Sequence, residues 1–331
     1  TNHTTLLCSF YGGERMRIAV LGIGSIGGVL LGALSDTNCE LVAISRGKSA
    51  DKLSSMGLVL YSPEGPIEAI PPERFTTFDS ESGPIPDFIT NSCDVAFICS
   101  KSDSTPVLAQ IADEILVQDG IAISLQNGMG HAQTLAHRLG RERTLGGITT
   151  HGAWRNETGT HWVGRGNITL GSLDSSKPSG NAERLIEILN QAGLSPDWSD
   201  DINKSIWIKL LVNVAINPVC SIAGVRNGAL LEVPELWAQA ISAMTEAATV
   251  ATASGVDLSD IDIESLLREV ASNTSENRCS MLQDIMAGRK TEVNHLCGAI
   301  VDAGESVGVP TPRNEMLHAL ICGIEISSEF D

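Results

Sequence analysis

A glycine turn set between two apolar runs near the start of the chain constrains its fold more than any other feature. Residues 17–22 form a short apolar run. Gly22-Ile23-Gly24-Ser25-Ile26-Gly27 follows, with Gly28 directly after it, and a second apolar run reaches Leu34. That order reads as strand, turn and helix. Gly22 lets the chain turn sharply off the strand, Gly24 lets the backbone approach a pyrophosphate, and Gly27 lets helix and strand pack closely. A diphosphate would sit on the N-terminus of the helix, where backbone N–H groups lack partners. Gly22, Ile23, Gly24, Ser25, Ile26 and Gly27 are therefore the candidate cofactor-binding turn. A turn selected only for packing is the competing reading, and the position of these glycines at the start of an α/β pattern favours the dinucleotide.

The rest of the chain extends that pattern. Residues 41–45, 95–99 and 121–125 are short apolar or β-branched runs, and helical patterns over 105–116 and 132–139 follow two of them. Parallel strands joined by crossover helices give this signature. Residues 57–77 break it with prolines and alternation, which suggests extended excursions or an inserted hairpin, and 145–170, rich in Gly and Thr, suggests an antiparallel extension of the sheet. A polar stretch over 172–180 reads as a linker. Beyond a helix at 182–192, the segments 206–216, 234–254, 263–271, 283–287, 291–307 and 314–326 all read as helical, with Gly255 and Gly308 as C-terminal caps. The expected fold is thus an α/β Rossmann-type dinucleotide-binding domain over 16–180, then an all-helical domain over 181–331, with 1–15 disordered or an extra N-terminal extension.

At 331 residues the chain is long enough for about two such domains. Against 22 Lys and Arg stand 40 Asp and Glu, for a net charge of -18, which disfavours nucleic acid and anionic membrane surfaces as partners. The eight cysteines lie scattered in apolar stretches without a CxxC pair, as buried free thiols in a reducing compartment do, and no ligand cluster suggests a metal. No apolar stretch reaches membrane-spanning length, and the first residues lack the pattern of a secretory signal. The expected location is the cytoplasm.

The second strand bears on the choice of cofactor. An NAD site places an acid near its end, whereas here it ends Ser45-Arg46-Gly47-Lys48. A guanidinium at Arg46 matches the 2'-phosphate of NADP(H), although a surface arginine would look the same.

Several motifs then follow in order: Cys99-Ser100-Lys101, Gln126-Asn127-Gly128, Thr149-Thr150-His151-Gly152-Ala153, Trp207-Ile208-Lys209-Leu210-Leu211-Val212-Asn213, Asn217-Pro218, Arg226-Asn227-Gly228, Ser280-Met281-Leu282-Gln283-Asp284 and Thr291-Glu292-Val293-Asn294. With the opening glycines, this set resembles the 2-dehydropantoate 2-reductase (ketopantoate reductase) family over nearly the whole chain from residue 16. The resemblance implies NADPH-dependent reduction of 2-dehydropantoate to (R)-pantoate, on the way to pantothenate and coenzyme A, by a cytoplasmic enzyme that is often a homodimer. It implies that Lys209 is the proton donor, with Glu292 in support. Asn127, Lys209, Asn213, Asn217, Asn227 and Ser280 would hold the small anionic 2-oxo acid, while Lys101, Asn127, Ala153 and Glu292 would line the cofactor and the join between the domains. A reductase of another branched 2-oxo acid, or a non-catalytic NADP(H)-binding sensor, is the alternative.

The residues argue on their own as well. Lys209 lies among Trp207, Ile208, Leu210 and Leu211, where partial burial would lower its pKa and ease proton release, although a lysine that snorkels to the surface fits the same pattern. Asn213 and Asn217 follow it at steps of four, which keeps all three on one helix face. Capping near Pro218 could explain Asn217 but not Asn213. Asn227 could be a turn residue, Ser280 an N-cap and Glu292 a helix-start acid. His151, among Thr and Gly, reads as structural, and Asp284 as serving its own helix.

Overall fold

A computed structural model describes residues 15–63, 65 and 67–327. The expected N-terminal extension falls outside the described residues, apart from Arg15. The strands are β1 (Arg17–Leu21), β2 (Glu40–Ser45), β3 (Leu58–Tyr61), β4 (Ile67–Ile70), β5 (Thr76–Asp79), β6 (Cys93–Ile98), β7 (Leu116–Ser124), β8 (Thr144–Thr149), β9 (Gly152–Arg155), β10 (Thr160–Gly164), β11 (Ile168–Ser172) and β12 (Pro196–Trp198). The first part also carries helices α1 (Ser25–Ser35), α2 (Lys48–Met56), α3 (Thr105–Ile115), α4 (His131–Leu139) and α5 (Asn181–Gln191). The second carries α6 (Ile202–Ala223), α7 (Ala229–Glu232), α8 (Pro234–Ala253), α9 (Ile263–Asn273), α10 (Ser280–Met286), α11 (Cys297–Val307) and α12 (Pro312–Ser327).

The main sheet runs β12-β11-β8-β7-β6-β1-β2-β5. Only the β8–β11 pair in it is antiparallel, as the glycine- and threonine-rich stretch suggested. Side chains alternate across a strand. Ile18 and Val20 of β1 therefore join the core formed with α1 and α5, while Ala19 and Leu21 join the core formed with α3 and α4. The inserted hairpin β3–β4 is present, and it combines with β9 and β10 into a second sheet, β4-β3-β10-β9, whose Leu60 and Trp162 pack into the α1 core.

Two expectations need correcting. The polar stretch 172–180 does not end the α/β part: α5 packs into its core and β12 pairs with β11, so that part runs to Trp198 rather than residue 180. Nor is 291–307 one helix. A single 3-10 turn at Val293–His295 precedes α11, and Leu296 between them has a non-helical backbone.

Helix α6 organises the second part. The Asp201 side chain caps it by accepting from the Lys204 N–H, and Gly224, at φ 68, ends it. The helix runs straight through Pro218, further than its expected end at 216. An 18-residue window of α6 has a mean hydropathy of 1.7, enough to cross a membrane by length and composition, but 61% of that window is buried inside the molecule. At its start, Ile202 lies directly on two glycines of the sheet. A Cβ at Gly146 of β8 or Gly171 of β11 would come within 2.8 or 2.7 Å of the Ile202 side chain. The seven described cysteines are free, and five of them are buried.

Candidate functional site

The glycine turn has the geometry its sequence suggests. Gly22 adopts φ +92, and a Cβ there would fall 2.6 Å from the Ser100 backbone nitrogen. A Cβ on Gly27 would lie 2.0 Å from the Gly22 carbonyl oxygen, whereas one on Gly24 would meet nothing within 4 Å. Among the described residues no side chain caps α1. The first turn of α1 thus offers uncapped N–H groups beside open space, which suits the diphosphate of a nucleotide cofactor. Arg46 is exposed at the end of β2 and makes no ion pair among the described residues. The Asp79 carboxylate accepts from the neighbouring Gly47 N–H at 3.0 Å.

The loops after β6 and β7 meet the helical part in one connected polar group. Such loops, at the C-terminal ends of parallel strands, are where ligands bind in open α/β sheets. Lys209, half-buried on α6, donates to Asn127 Oδ1 at 3.0 Å. Asn127 Nδ2 donates to Glu292 Oε2 at 3.1 Å, and Ser102 Oγ donates to Glu292 Oε1 at 3.0 Å. Burial pushes Lys209 down to about 8, and the Glu292 carboxylate opposes that shift. The site therefore holds an ammonium that gives up its proton more readily than an ordinary lysine does.

Asn213 and Asn217 follow Lys209 along α6, Asn213 half-buried and Asn217 buried. Asn227 is buried too: its Nδ2 donates to Thr274 Oγ1 at 2.9 Å, while its Oδ1 has no partner among the described residues. The Asn227 N–H donates to the Asn277 carbonyl, and the Cys279 thiol donates to the Asn217 carbonyl at 3.6 Å. These bonds bring the middle of α6 and the 226–228 turn to the segment that leads into Ser280. Ser280 is exposed at the first position of α10 and does not cap it, since the N-cap is Cys279.

Asp284 lies differently from the sequence reading, and Lys101 stands at the join between the two parts. Asp284 serves more than its own helix. It pairs with Lys101 across the join at 3.1 Å and with Arg289 at 2.8 Å. Lys101 also donates to the Lys290 carbonyl. Ala153 sits in β9 and packs on the core around α1. His151 is structural: its Nδ1 accepts from the Gly166 N–H at 2.9 Å, and its Nε2 lies 3.2 Å from the Leu194 carbonyl.

Sequence reading alone does not single out Ser102 or His131. Ser102 follows Lys101 directly, and His131 comes four residues after Asn127, so proximity to those two was the available signal.

Comparison with known proteins places both halves of the chain in one family. Residues 18–175 match the family model described as ketopantoate reductase PanE/ApbA, and residues 201–325 match its C-terminal counterpart. A 2-dehydropantoate 2-reductase of Archaeoglobus fulgidus is 32% identical, covering 93% of this chain and 98% of that protein. One from Pyrococcus horikoshii is 34% identical, covering 92% of this chain and 96% of that protein. The crystal structure of a PanE/ApbA family ketopantoate reductase from Ralstonia eutropha JMP134 superposes with a TM-score of 0.83 at 27% identity, covering 95% of this chain and 100% of that one. With both halves matched in order and the polar group at their join, the chain belongs to the ketopantoate reductase family.

Proposed function

We propose that the protein reduces 2-dehydropantoate to (R)-pantoate with NADPH, within pantothenate and coenzyme A biosynthesis. The observation that carries this reading is the Lys209 ammonium, lowered to about 8 and held by Asn127 at the join of the two parts. The curated relatives bear the name of this activity. A reduced nicotinamide bound through the glycine turn supplies hydride to the carbonyl carbon. Lys209 gives its proton to the carbonyl oxygen as negative charge develops there, and the remaining ammonium character stabilises that charge. Glu292, tied to Asn127 and Ser102, keeps Lys209 charged between turnovers. Asn213, Asn217, Asn227 and Ser280 hold the carboxylate and hydroxyl of the oxo acid. The free, mostly buried thiols support a cytoplasmic location.

The direct test mixes purified protein, NADPH and 2-dehydropantoate and follows NADPH consumption. Absence of turnover sinks the proposal. Faster turnover on another branched 2-oxo acid would reassign the substrate, and cofactor binding without any turnover would indicate a sensor.

The same reading sets the pH dependence. Lys209 acts in its protonated form, so reduction runs fully below a pH of about 8 and declines above it. On the alkaline side kcat/KM should fall about tenfold per pH unit. A profile that stays flat through that limb would remove Lys209 from the proton step.

Arg46 gives a second check. One charge-assisted contact to a phosphate contributes roughly 1.5–3 kcal/mol. An Arg46→Ala variant should therefore lose about 10–100-fold in kcat/KM with NADPH and almost nothing with NADH. Equal losses with both cofactors would place Arg46 away from the 2'-phosphate.

A further inference from the structure

Behind Asn127 lies a buried histidine that the proton transfer does not use. His131 is the first residue of α4 and only 5% exposed. Its Nε2 lies 2.9 Å from the Asn127 carbonyl oxygen. A carbonyl can only accept, so Nε2 carries the proton. In the neutral ring Nδ1 then has a free lone pair, and it lies 3.1 Å from the Thr105 hydroxyl, which itself donates to the Ser102 carbonyl at 2.7 Å and has Gln126 Oε1 within reach at 3.0 Å. Burial pushes His131 down to about 4, so the ring is neutral wherever the enzyme works. Facing it from the helical part is the His295 ring, 5.1 Å away, whose Nε2 lies 3.3 Å from Asp103 Oδ1.

Nε2 is thus committed to a main-chain carbonyl, and Nδ1 faces the buried Thr105, so the ring is not placed to reach a substrate. The ring holds a carbonyl, and that carbonyl belongs to the residue whose side chain touches both Lys209 and Glu292. Gly128 follows at φ +95, with the His295 carbonyl oxygen 2.3 Å from where its Cβ would be. The peptide after Asn127 is therefore confined on one side by His131 and on the other by the helical part.

We propose that His131 is a positioning residue for the reduction: through its bond to the Asn127 carbonyl, it fixes where the Asn127 amide meets Lys209 and Glu292. The proposal deepens the reading of Lys209 as proton donor and rests on it. Losing the bond lets the Asn127 side chain withdraw from the ammonium. The charged form of Lys209 then loses an acceptor, and its pKa falls further.

The test compares His131→Phe, which keeps a ring but no donor, with His131→Gln, which restores one. Two readouts are taken. One is kcat and KM for 2-dehydropantoate with NADPH. The other is the titration of Lys209, followed by NMR on protein carrying 13C at the ε-carbons of its seven lysines. Lys209 should titrate near 8 in the unaltered protein. In His131→Phe it should titrate about 0.5 unit lower or more, with kcat down about tenfold and KM little changed. His131→Gln should recover part of both. An unchanged titration and kcat in folded His131→Phe would overturn the proposal, as would His131→Gln behaving like His131→Phe. If His131→Phe fails to fold, His131→Met, which fills the space without a donor, takes its place, and an unmoved Lys209 titration there overturns the proposal. Should the unaltered protein reduce no oxo acid, the reaction reading fails by itself, and the Lys209 titration still decides the role of His131.

Discussion

On the proposed mechanism, replacing Lys209 with alanine should lower kcat for oxo-acid reduction by about 10³-fold and leave NADPH binding largely intact. Two contributions vanish together. The proton donor is gone, and so is the positive charge that stabilises the developing oxyanion. The loss also strands two groups, since Asn127 Oδ1 no longer receives the 3.0 Å bond and Glu292 loses the cation it faces. Lys209→Arg keeps the charge but should still be slow, because a guanidinium does not release its proton in this pH range. Steady-state kinetics alongside cofactor titration separates these effects. A kcat within threefold of the unaltered enzyme in Lys209→Ala would mean that the proton comes from elsewhere.

The second large effect divides the glycine turn into two functions. Gly27→Ala places a methyl 2.0 Å from the Gly22 carbonyl oxygen, and Gly22 is itself backed by the Ser100 backbone. Backbone lies on both sides, so no rotamer change relieves the clash. A destabilisation of about 3 kcal/mol is expected, visible as a Tm lower by roughly 5–10 °C. Gly24→Ala is the opposite case. Its methyl meets nothing within 4 Å among the described residues, so Tm should hardly move. The methyl does enter the space through which a diphosphate approaches the backbone, and NADPH affinity should fall about tenfold. Thermal melts with and without cofactor check both. If Gly24→Ala binds NADPH normally, the turn is a packing device.

How far the sequence could be read depended on how local each feature is. The β1–turn–α1 unit spans a few residues, and its glycines announce their own geometry. The face of α6 carrying Lys209, Asn213 and Asn217 follows from helical spacing alone. What remained hidden was made by distant partners. Ser102 and Glu292 are 190 residues apart, and Lys101 and Asp284 join in the same way across the two parts. No local pattern marks such a pair, so Asp284 read as a residue of its own helix. Strand β12 has three residues, Pro196–Trp198, too few to show alternation, and it hid the true end of the α/β part. The break at Leu296 was masked by apolar residues that fit a helical period on either side of it.

Helix α6 is seated at one end. Ile202 is pressed onto Gly146 and Gly171 of the sheet, and beyond it the helix continues unbroken to Ala223. A rod held in that way is a lever. Lys209 stands about 10 Å along it from the fulcrum, and Asn217 about 22 Å. Any rocking of the helical part over the sheet therefore carries Asn217 roughly twice as far as Lys209. Under the proposed function, the asparagines would be the groups such rocking moves most against an oxo acid, while Lys209 would stay closest to its register with the glycine-turn half.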